Sequence, residues 1–243
     1  MPMRVSRIYY KDNLQVGESV SLNADTAHYL VNVLRLKEGN AIVLFNGNAG
    51  DIQGTIAAIS KKEIIVDLNK QVVEPLQLPL FIHLGIGLSK GDRMDFAIQK
   101  SVELGVSEIS PLYTEFGEVK LKESKRLENK LRHWQRIAVS ACEQCGSHSP
   151  PEIHVPSSFN AFVESQSVAT KLILDASGEK NLTKVEVASS VVMLVGPEGG
   201  FSNNELDAAK NHEYETVNLG QRILRTETAP VAALAILQNL YGN

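Results

Sequence analysis

Two short stretches concentrate the polar chemistry of this chain. Leu194-Val-Gly-Pro-Glu-Gly-Gly-Phe201 ends an apolar run in a glycine-rich loop, and Leu219-Gly-Gln-Arg-Ile-Leu-Arg-Thr-Glu-Thr-Ala229 precedes an apolar segment. In the first, the glycines allow backbone amides and carbonyls to approach a ligand closely. Pro197 stiffens that loop, and Glu198 offers a carboxylate acceptor for ribose hydroxyls or a base edge. In the second, Arg222, Arg225, Thr226, Glu227 and Thr228 gather within a few residues. Either loop alone reads equally as a tight turn, with Thr228 as a helix cap and the arginines in surface ion pairs. Two such loops, separated by one predicted helix, can converge at one edge of a sheet, where they predict a pocket for a polar, nucleoside-like ligand.

Other ligand motifs are missing. Gly85-Ile-Gly87 is followed by Leu-Ser-Lys, so the third glycine of a dinucleotide fingerprint is absent, and no phosphate-loop Gly-Lys-Ser/Thr occurs. The two cysteines, Cys142 and Cys145, lie at the end of a predicted helix without a second ligand pair at zinc-knuckle spacing. They are expected to be reduced thiols, and no metal is expected.

The elements that position the two loops follow from patterning. With 243 residues, 43% of them apolar and 21% charged, the chain reads as globular and has room for one large domain or two smaller ones. No apolar run reaches the length of a membrane span, and no secretory signal follows the N-terminus, so a cytoplasmic location is the default. The first ~70 residues read as short strands and tight turns: Val16 to Leu22, Ala41 to Phe45, Gly54 to Ile59 and Glu63 to Leu68. A short helix from Asp25, capped by that residue, interrupts them, and the whole predicts a small β-barrel. Two prolines in residues 70–79 mark a boundary, placed after residue 72.

Beyond it strands and helices alternate. Strands are predicted at Leu80–Leu88, Val106–Tyr113, Ile153–Val155, Lys171–Ala176, Val191–Val195 and Thr216–Leu219. Helices are predicted at Gly91–Leu104, Lys122–Cys145, after Phe201, and at Pro230–Tyr241. Gly105 should close the first of these in a left-handed conformation, and Ser202 with Glu205 should form a capping box. This alternation is that of an α/β domain with a mainly parallel sheet over residues 73–243.

The two loops together resemble the RsmE-type 16S rRNA uridine methyltransferases of the SPOUT superfamily. Further motifs extend the resemblance along the chain: Arg7-Ile-Tyr9, His28-Tyr-Leu-x-x-Val-Leu-Arg35, Lys90-Gly-Asp-Arg-Met-Asp-x-x-Ile-Gln-Lys-x-x-Glu-Leu-Gly105 and Trp134-x-x-Ile-Ala-x-x-Ala-Cys-Glu-Gln144. The resemblance implies an N-terminal PUA-like barrel that binds RNA, and a SPOUT α/β domain with a deep C-terminal trefoil knot, against the usual rule on connections. It implies S-adenosylmethionine as cofactor, held by Leu174 and Asp175, by Leu194, Gly196, Glu198 and Gly200, and by Leu219, Gly220, Ile223, Leu224 and Thr226. The cofactor site would be completed in a homodimer. The substrate implied is the small ribosomal subunit, methylated at N3 of the 16S rRNA uridine usually numbered 1498.

Such chemistry assigns roles. Methyl transfer from a sulfonium is an in-line displacement, so positioning supplies much of the acceleration. N3 must lose its proton, and the anion needs a cationic neighbour. Arg225 is expected to supply it, with Arg7 as a second functional arginine or a surface residue. The base must be unpaired or flipped. The net charge of −4 argues against non-specific coating of nucleic acid. A local basic face is nonetheless expected from Lys120, Lys122, Lys125, Arg126, Lys130, Arg132 and Arg136, with Arg4, Arg7, Arg35 and Lys37 on the barrel; an ordinary solvated helix face is the alternative. The chain departs from the family at Thr114-Glu-Phe116 and Glu143-Gln-Cys-Gly-Ser147, where arginine is usual at the last position. Alternatives are a SPOUT enzyme for another RNA, such as a tRNA ribose 2′-hydroxyl, and a non-catalytic RNA-binding assembly factor.

Overall fold

The computed structural model describes residues 5–60, 62–74, 79–119 and 123–242. The chain forms two compact units: the described residues of Met1–Gln77 together with Cys142–Ser149, and those of Leu78–Ala141 with Pro150–Asn243. The sequence reading placed one cut after residue 72, whereas chain contacts also return Cys142–Ser149 to the first unit.

The first unit contains strands β1 (Ser6–Tyr9), β2 (Ser19–Leu22), β3 (Ala41–Phe45), β4 (Asp51–Ile59) and β5 (Ile64–Val73), and a helix α1 (Ala24–His28) that continues as a π-helical turn over Tyr29–Val33. The strands form one sheet in the order β1-β3-β4-β5-β2. β1 lies parallel to β3 and the remaining pairs are antiparallel. Alternation along the strands buries Ile42, Leu44, Ile52, Ile56, Ile64 and Val66 with Leu30 from the helical turn. The helix is capped by Asn23 rather than Asp25: the Asn23 side chain accepts from the Thr26 amide at 3.0 Å, and Asp25 sits inside the first turn.

The second unit contains β6 (Phe81–Gly87), α2 (Asp92–Glu103), β7 (Glu108–Tyr113), α3 (Ser124–Cys145, its last turn in the first unit), β8 (Glu152–Ile153), β9 (Ser157–Ser158), α4 (Phe159–Ser165), β10 (Thr170–Leu174), β11 (Lys180–Asn181), β12 (Ser190–Val195), α5 (Asn203–Asn211), β13 (Glu215–Asn218) and α6 (Thr228–Tyr241). The sheet order is β11-β13-β10-β12-β6-β7-β8, with β9 also on β7, and every described pair is parallel. Helices cover such sheets on both faces, so β6 and β12 are buried almost end to end. Gly105 follows α2 at φ 75°, as its position predicts. Ser202 and Glu205 close the capping box of α5 in both directions, at 3.2 and 2.9 Å. The second Glu205 oxygen accepts from the Glu115 amide at 2.9 Å, tying the β7 exit to the start of α5. Helix α4 went unread in the sequence, although Phe159, Phe162 and Val163 form its buried stripe and the Ser158 side chain caps Ala161.

Among the described residues, no helix is long and apolar enough to cross a membrane.

Candidate functional site

The carboxyl ends of the neighbouring strands β13, β10 and β12 release three loops on the same side of the sheet. Parallel strands open a crevice at that edge, and here it is a cleft of about 650 Å³. Leu174, Asp175 and Ala176 supply one wall, Val195–Glu198 and Gly200 another, and Val217–Glu227 the third. Of the residues expected to hold a cofactor, Leu174, Gly196, Glu198, Gly200, Leu219, Gly220, Ile223, Leu224 and Thr226 line this cleft. Leu194 does not. Strand alternation turns its side chain into the core, among Gly85 and the Phe162 cluster, and brings its neighbour Val195 to the cleft.

Backbone shape makes the cleft. The Gly200 amide donates to the Pro197 carbonyl at 2.9 Å, and Gly200 turns left-handed at φ 70°. The loop closes on itself so tightly that a Cβ on Gly196 would lie 3.1 Å from the Gly200 backbone. Gly220 is also left-handed, at φ 105°, and its amide donates to Asn218 Oδ1 at 2.9 Å. Asn218 in turn donates to the Gly178 carbonyl at 2.7 Å and accepts from Asn181 at 3.1 Å. One amide side chain thus braces the walls that follow β10 and β13.

The charged residues differ sharply in how they are held. Arg93, at the start of α2, reaches Glu198 with an Nη1–Oε1 distance of 2.6 Å, and the pair lines the cleft. Glu198 raises the Arg93 guanidinium further above its usual range, through a hydrogen bond and through charge. Sequence reasoning missed Arg93 as a site residue, although it lies in the Lys90-Gly-Asp-Arg motif. The Arg225 side chain is 82% exposed, with Glu227 Oε1 3.9 Å away, beyond hydrogen-bond reach. Its backbone is fixed: the Arg225 carbonyl accepts from the amides of Thr228 and Ala229, both at 2.9 Å, at the entry to α6. Thr226 beside it is buried, and Ile223 is 91% exposed at the rim.

Arg7 belongs to different surroundings. Its Nε and Nη2 donate to the two Asp51 oxygens at 2.6 and 2.9 Å, Nη1 donates to the Cys142 carbonyl at 3.0 Å, and the guanidinium lies 3.5 Å over the Phe45 ring. The ion pair is 13% and 10% exposed. Arg7 is therefore not a surface residue: its guanidinium joins β1 to Asp51 of β4, to Phe45 of β3 and to the Cys142 turn within the first unit.

Lys125, Arg126, Arg132 and Arg136 are exposed on α3, while Trp134 and Ala138 are buried. A depression of about 500 Å³ along this helix is lined by Glu123, Lys125, Arg126, Asn129, Lys130 and His133. Arg35 is exposed and left-handed at φ 57°. Arg4, Lys120 and Lys122 lie outside the described residues. Phe116, where the resemblance implied arginine, packs against Gly199, where a Cβ would meet Phe116 Cβ at 2.8 Å. Cys142 and Cys145 are free thiols, and burial pushes the Cys142 thiol up to about 12.

Residues 76–238 match the RNA methyltransferase domain family, and residues 22–69 match the RNA methyltransferase PUA domain family. The ribosomal RNA small subunit methyltransferase E of Buchnera aphidicola from Acyrthosiphon pisum is 35% identical over 99% of this chain and 95% of its own length. The protein of that name from Bacillus subtilis is 28% identical over 93% of this chain and 92% of its own. Among solved structures, the ribosomal RNA small subunit methyltransferase E of Neisseria gonorrhoeae, bound to S-adenosylmethionine, superposes with a TM-score of 0.91 at 35% identity, over 98% of this chain and 99% of that one.

Proposed function

The chain belongs to the ribosomal RNA small subunit methyltransferase E family, and on that premise we propose that it is an S-adenosylmethionine-dependent methyltransferase of 16S rRNA acting on N3 of a uridine. The cleft at the carboxyl ends of β10, β12 and β13, with Arg225 at its rim, carries this reading. Its volume of about 650 Å³ is within the ~300–1,000 Å³ of small-molecule sites. Its lining suits the cofactor: aliphatic Leu174, Val195, Leu219 and Leu224 beside the exposed backbone of two glycine turns. S-adenosylmethionine, when bound, supplies an electrophilic methyl group on a sulfonium.

The residues of this chain do the rest. The Gly196–Gly200 and Leu219–Leu224 loops orient the cofactor through their backbones. Arg225 stabilises the uracil anion formed as N3 loses its proton, because its backbone is pinned at the α6 entry while its guanidinium is exposed and held only by a 3.9 Å ion pair to Glu227. Residues 1–72, read as a PUA-like barrel, hold RNA, with the exposed cations Lys125, Arg126, Arg132 and Arg136 of α3 as a further phosphate-binding face. The threaded C-terminal connection of a trefoil knot fits the way β13 and α6 follow the cleft loops. A homodimer is supported by Ile223, a large apolar side chain left almost bare at the rim. The working compartment is the cytoplasm, where ribosomal subunits are assembled.

The test incubates 30S subunits from a strain lacking the activity with the protein and methyl-labelled S-adenosylmethionine. Label is expected in N3-methyluridine; cofactor binding with no methylated RNA would refute catalysis. Arg225→Ala should lower transfer by roughly 100-fold or more while cofactor affinity stays largely intact. Loss of cofactor binding in that variant would refute the role given to Arg225.

A further inference from the structure

Away from the cleft, strands β6, β7 and β8 set three ligand-type side chains side by side. Sheet register pairs His83 with Glu108 and Glu108 with Glu152, and His154 follows β8 directly. Glu108 Oε2 lies 2.8 Å from His154 Nε2 and 3.6 Å from His83 Nδ1. One ligand atom from each of the three falls within 4.8 Å of the others. None of them takes part in the proposed methyl transfer.

From this geometry we infer that His83, Glu108 and His154 form a binding site for a divalent first-row transition metal, with zinc the best fit. The ligand atoms are His83 Nδ1, Glu108 Oε2 and His154 Nε2.

Three observations carry the assignment. The first is spacing. Ligands about 2.1 Å from a tetrahedral zinc lie roughly 3.4 Å from one another. The His83–Glu108 separation is already close to that, and the His154–Glu108 hydrogen bond needs to open by only about half an ångström. The second is the outer partners. The far nitrogen of each imidazole is occupied: His83 Nε2 by Ser110 Oγ at 2.8 Å, and His154 Nδ1 by Glu152 Oε1 at 3.5 Å. Metal-bound histidines use such partners to fix the ring and its tautomer. The other His83 nitrogen, Nδ1, faces the Glu108 carboxylate oxygen at 3.6 Å, so a cation between them would draw on both groups. The third is access. Glu108 and His154 are about one-third exposed, at 30% and 34%, which gives an ion a way in. Two imidazoles and one carboxylate leave an open position for water and match zinc better than magnesium or calcium.

The test strips the full-length, untagged protein with a chelator and titrates it with Co²⁺ and Zn²⁺. Uptake is followed by Co²⁺ absorption and by equilibrium dialysis with elemental analysis. One ion per chain is expected, without a thiolate charge-transfer band. Glu108→Gln and His154→Ala should each weaken binding by roughly tenfold or more, and Cys142→Ser/Cys145→Ser should not. In the unaltered protein, Zn²⁺ should shift the NMR ring signals of His83 and His154 and leave those of His28 and His133 in place; this readout needs no variant to fold. Absence of saturable uptake, uptake indifferent to the Glu108 and His154 changes, or uptake abolished by the cysteine changes would each overturn the site. Unshifted His83 and His154 signals would show a purely hydrogen-bonded cluster and overturn it too.

Discussion

Two glycines on β6, two residues apart and on the same face, separate the stability of the second unit from the shape of its cleft. A Cβ on Gly85 would meet Leu194 Cδ2 at 2.6 Å and Phe162 Cε1 at 2.9 Å, both ends of core side chains. A Cβ on Gly87 would meet Pro197 Cδ at 2.5 Å, Pro197 N at 2.6 Å and the Gly196 carbonyl carbon at 3.1 Å. Those are atoms of the loop that forms one wall of the cleft. Relief to ordinary carbon contact requires a displacement of about 1 Å. At Gly85 rotamers can give way, so the strain spreads through the core. At Gly87 the neighbour is a proline ring and its backbone, so the loop itself must move. Overpacking of this kind costs about 1–3 kcal/mol.

Gly85→Ala is therefore expected to lower the melting temperature while S-adenosylmethionine binds nearly as before. In Gly87→Ala the same cost falls on the binding geometry, which corresponds to a weakening of Kd by roughly five- to hundredfold. Calorimetric titration with S-adenosylmethionine, paired with thermal unfolding of both variants, measures the two effects separately. Unaltered affinity in Gly87→Ala would refute the reasoning, because it would mean the Gly196–Gly200 wall is not held by β6. Equal losses of affinity in both variants would refute it as well.

Three further outcomes follow from the contacts. Arg7→Ala leaves the Asp51 carboxylate buried without its bidentate partner and should destabilise the first unit by about 3–5 kcal/mol, whereas Arg7→Met/Asp51→Leu should recover much of the loss; hydrogen exchange in β1, β3 and β4 reads this, and an unchanged Arg7→Ala would contradict it. Asn218→Ala removes the brace on Gly220 and the donor to the Gly178 carbonyl, so S-adenosylmethionine should bind more weakly, by roughly tenfold or more, in titration calorimetry. At about pH 8 a disulfide reagent should modify exposed Cys145 quickly and Cys142 only on unfolding, because a thiol held near 12 has almost no thiolate there; rapid modification of both in the native protein would contradict the burial of Cys142.

The parts of the fold that were legible in the sequence are those written in contiguous residues. The Val191–Val195 run, the Ser202/Glu205 box and Gly105 after Leu104 each act through neighbours a few positions away, and each appears where patterning put it. The cleft was legible for the same reason: its walls are whole loops leaving adjacent parallel strands, and strand order alone brings them together. Two things were lost: the direction of individual side chains, as with Leu194, where a single step along a strand exchanges core for cleft, and Arg93, which reaches the cleft from α2.

Register decides what patterning leaves out. Arg7 meets Asp51 and the Cys142 turn across 44 and 135 residues of chain, and nothing in its short Arg-Ile-Tyr motif announces that its guanidinium ties β1 to β4 and to the end of α3. Arg93 meets Glu198 across 105 residues. His83, Glu108 and His154 carry no motif at all, and at a register one residue different the side chains of one strand would turn to the other face of the sheet. Parallel pairing fixes which residues of β6, β7 and β8 stand abreast, and it does so through apolar contacts that have nothing to do with ligation. A cluster assembled in this way owes its geometry to the stability of the sheet. If it binds metal, binding should in turn lock the β7–β8 edge, where the pairing is only two residues long. Slower hydrogen exchange confined to that edge on addition of Zn²⁺ is the consequence that distinguishes a ligated strand edge from an ion held loosely at the surface.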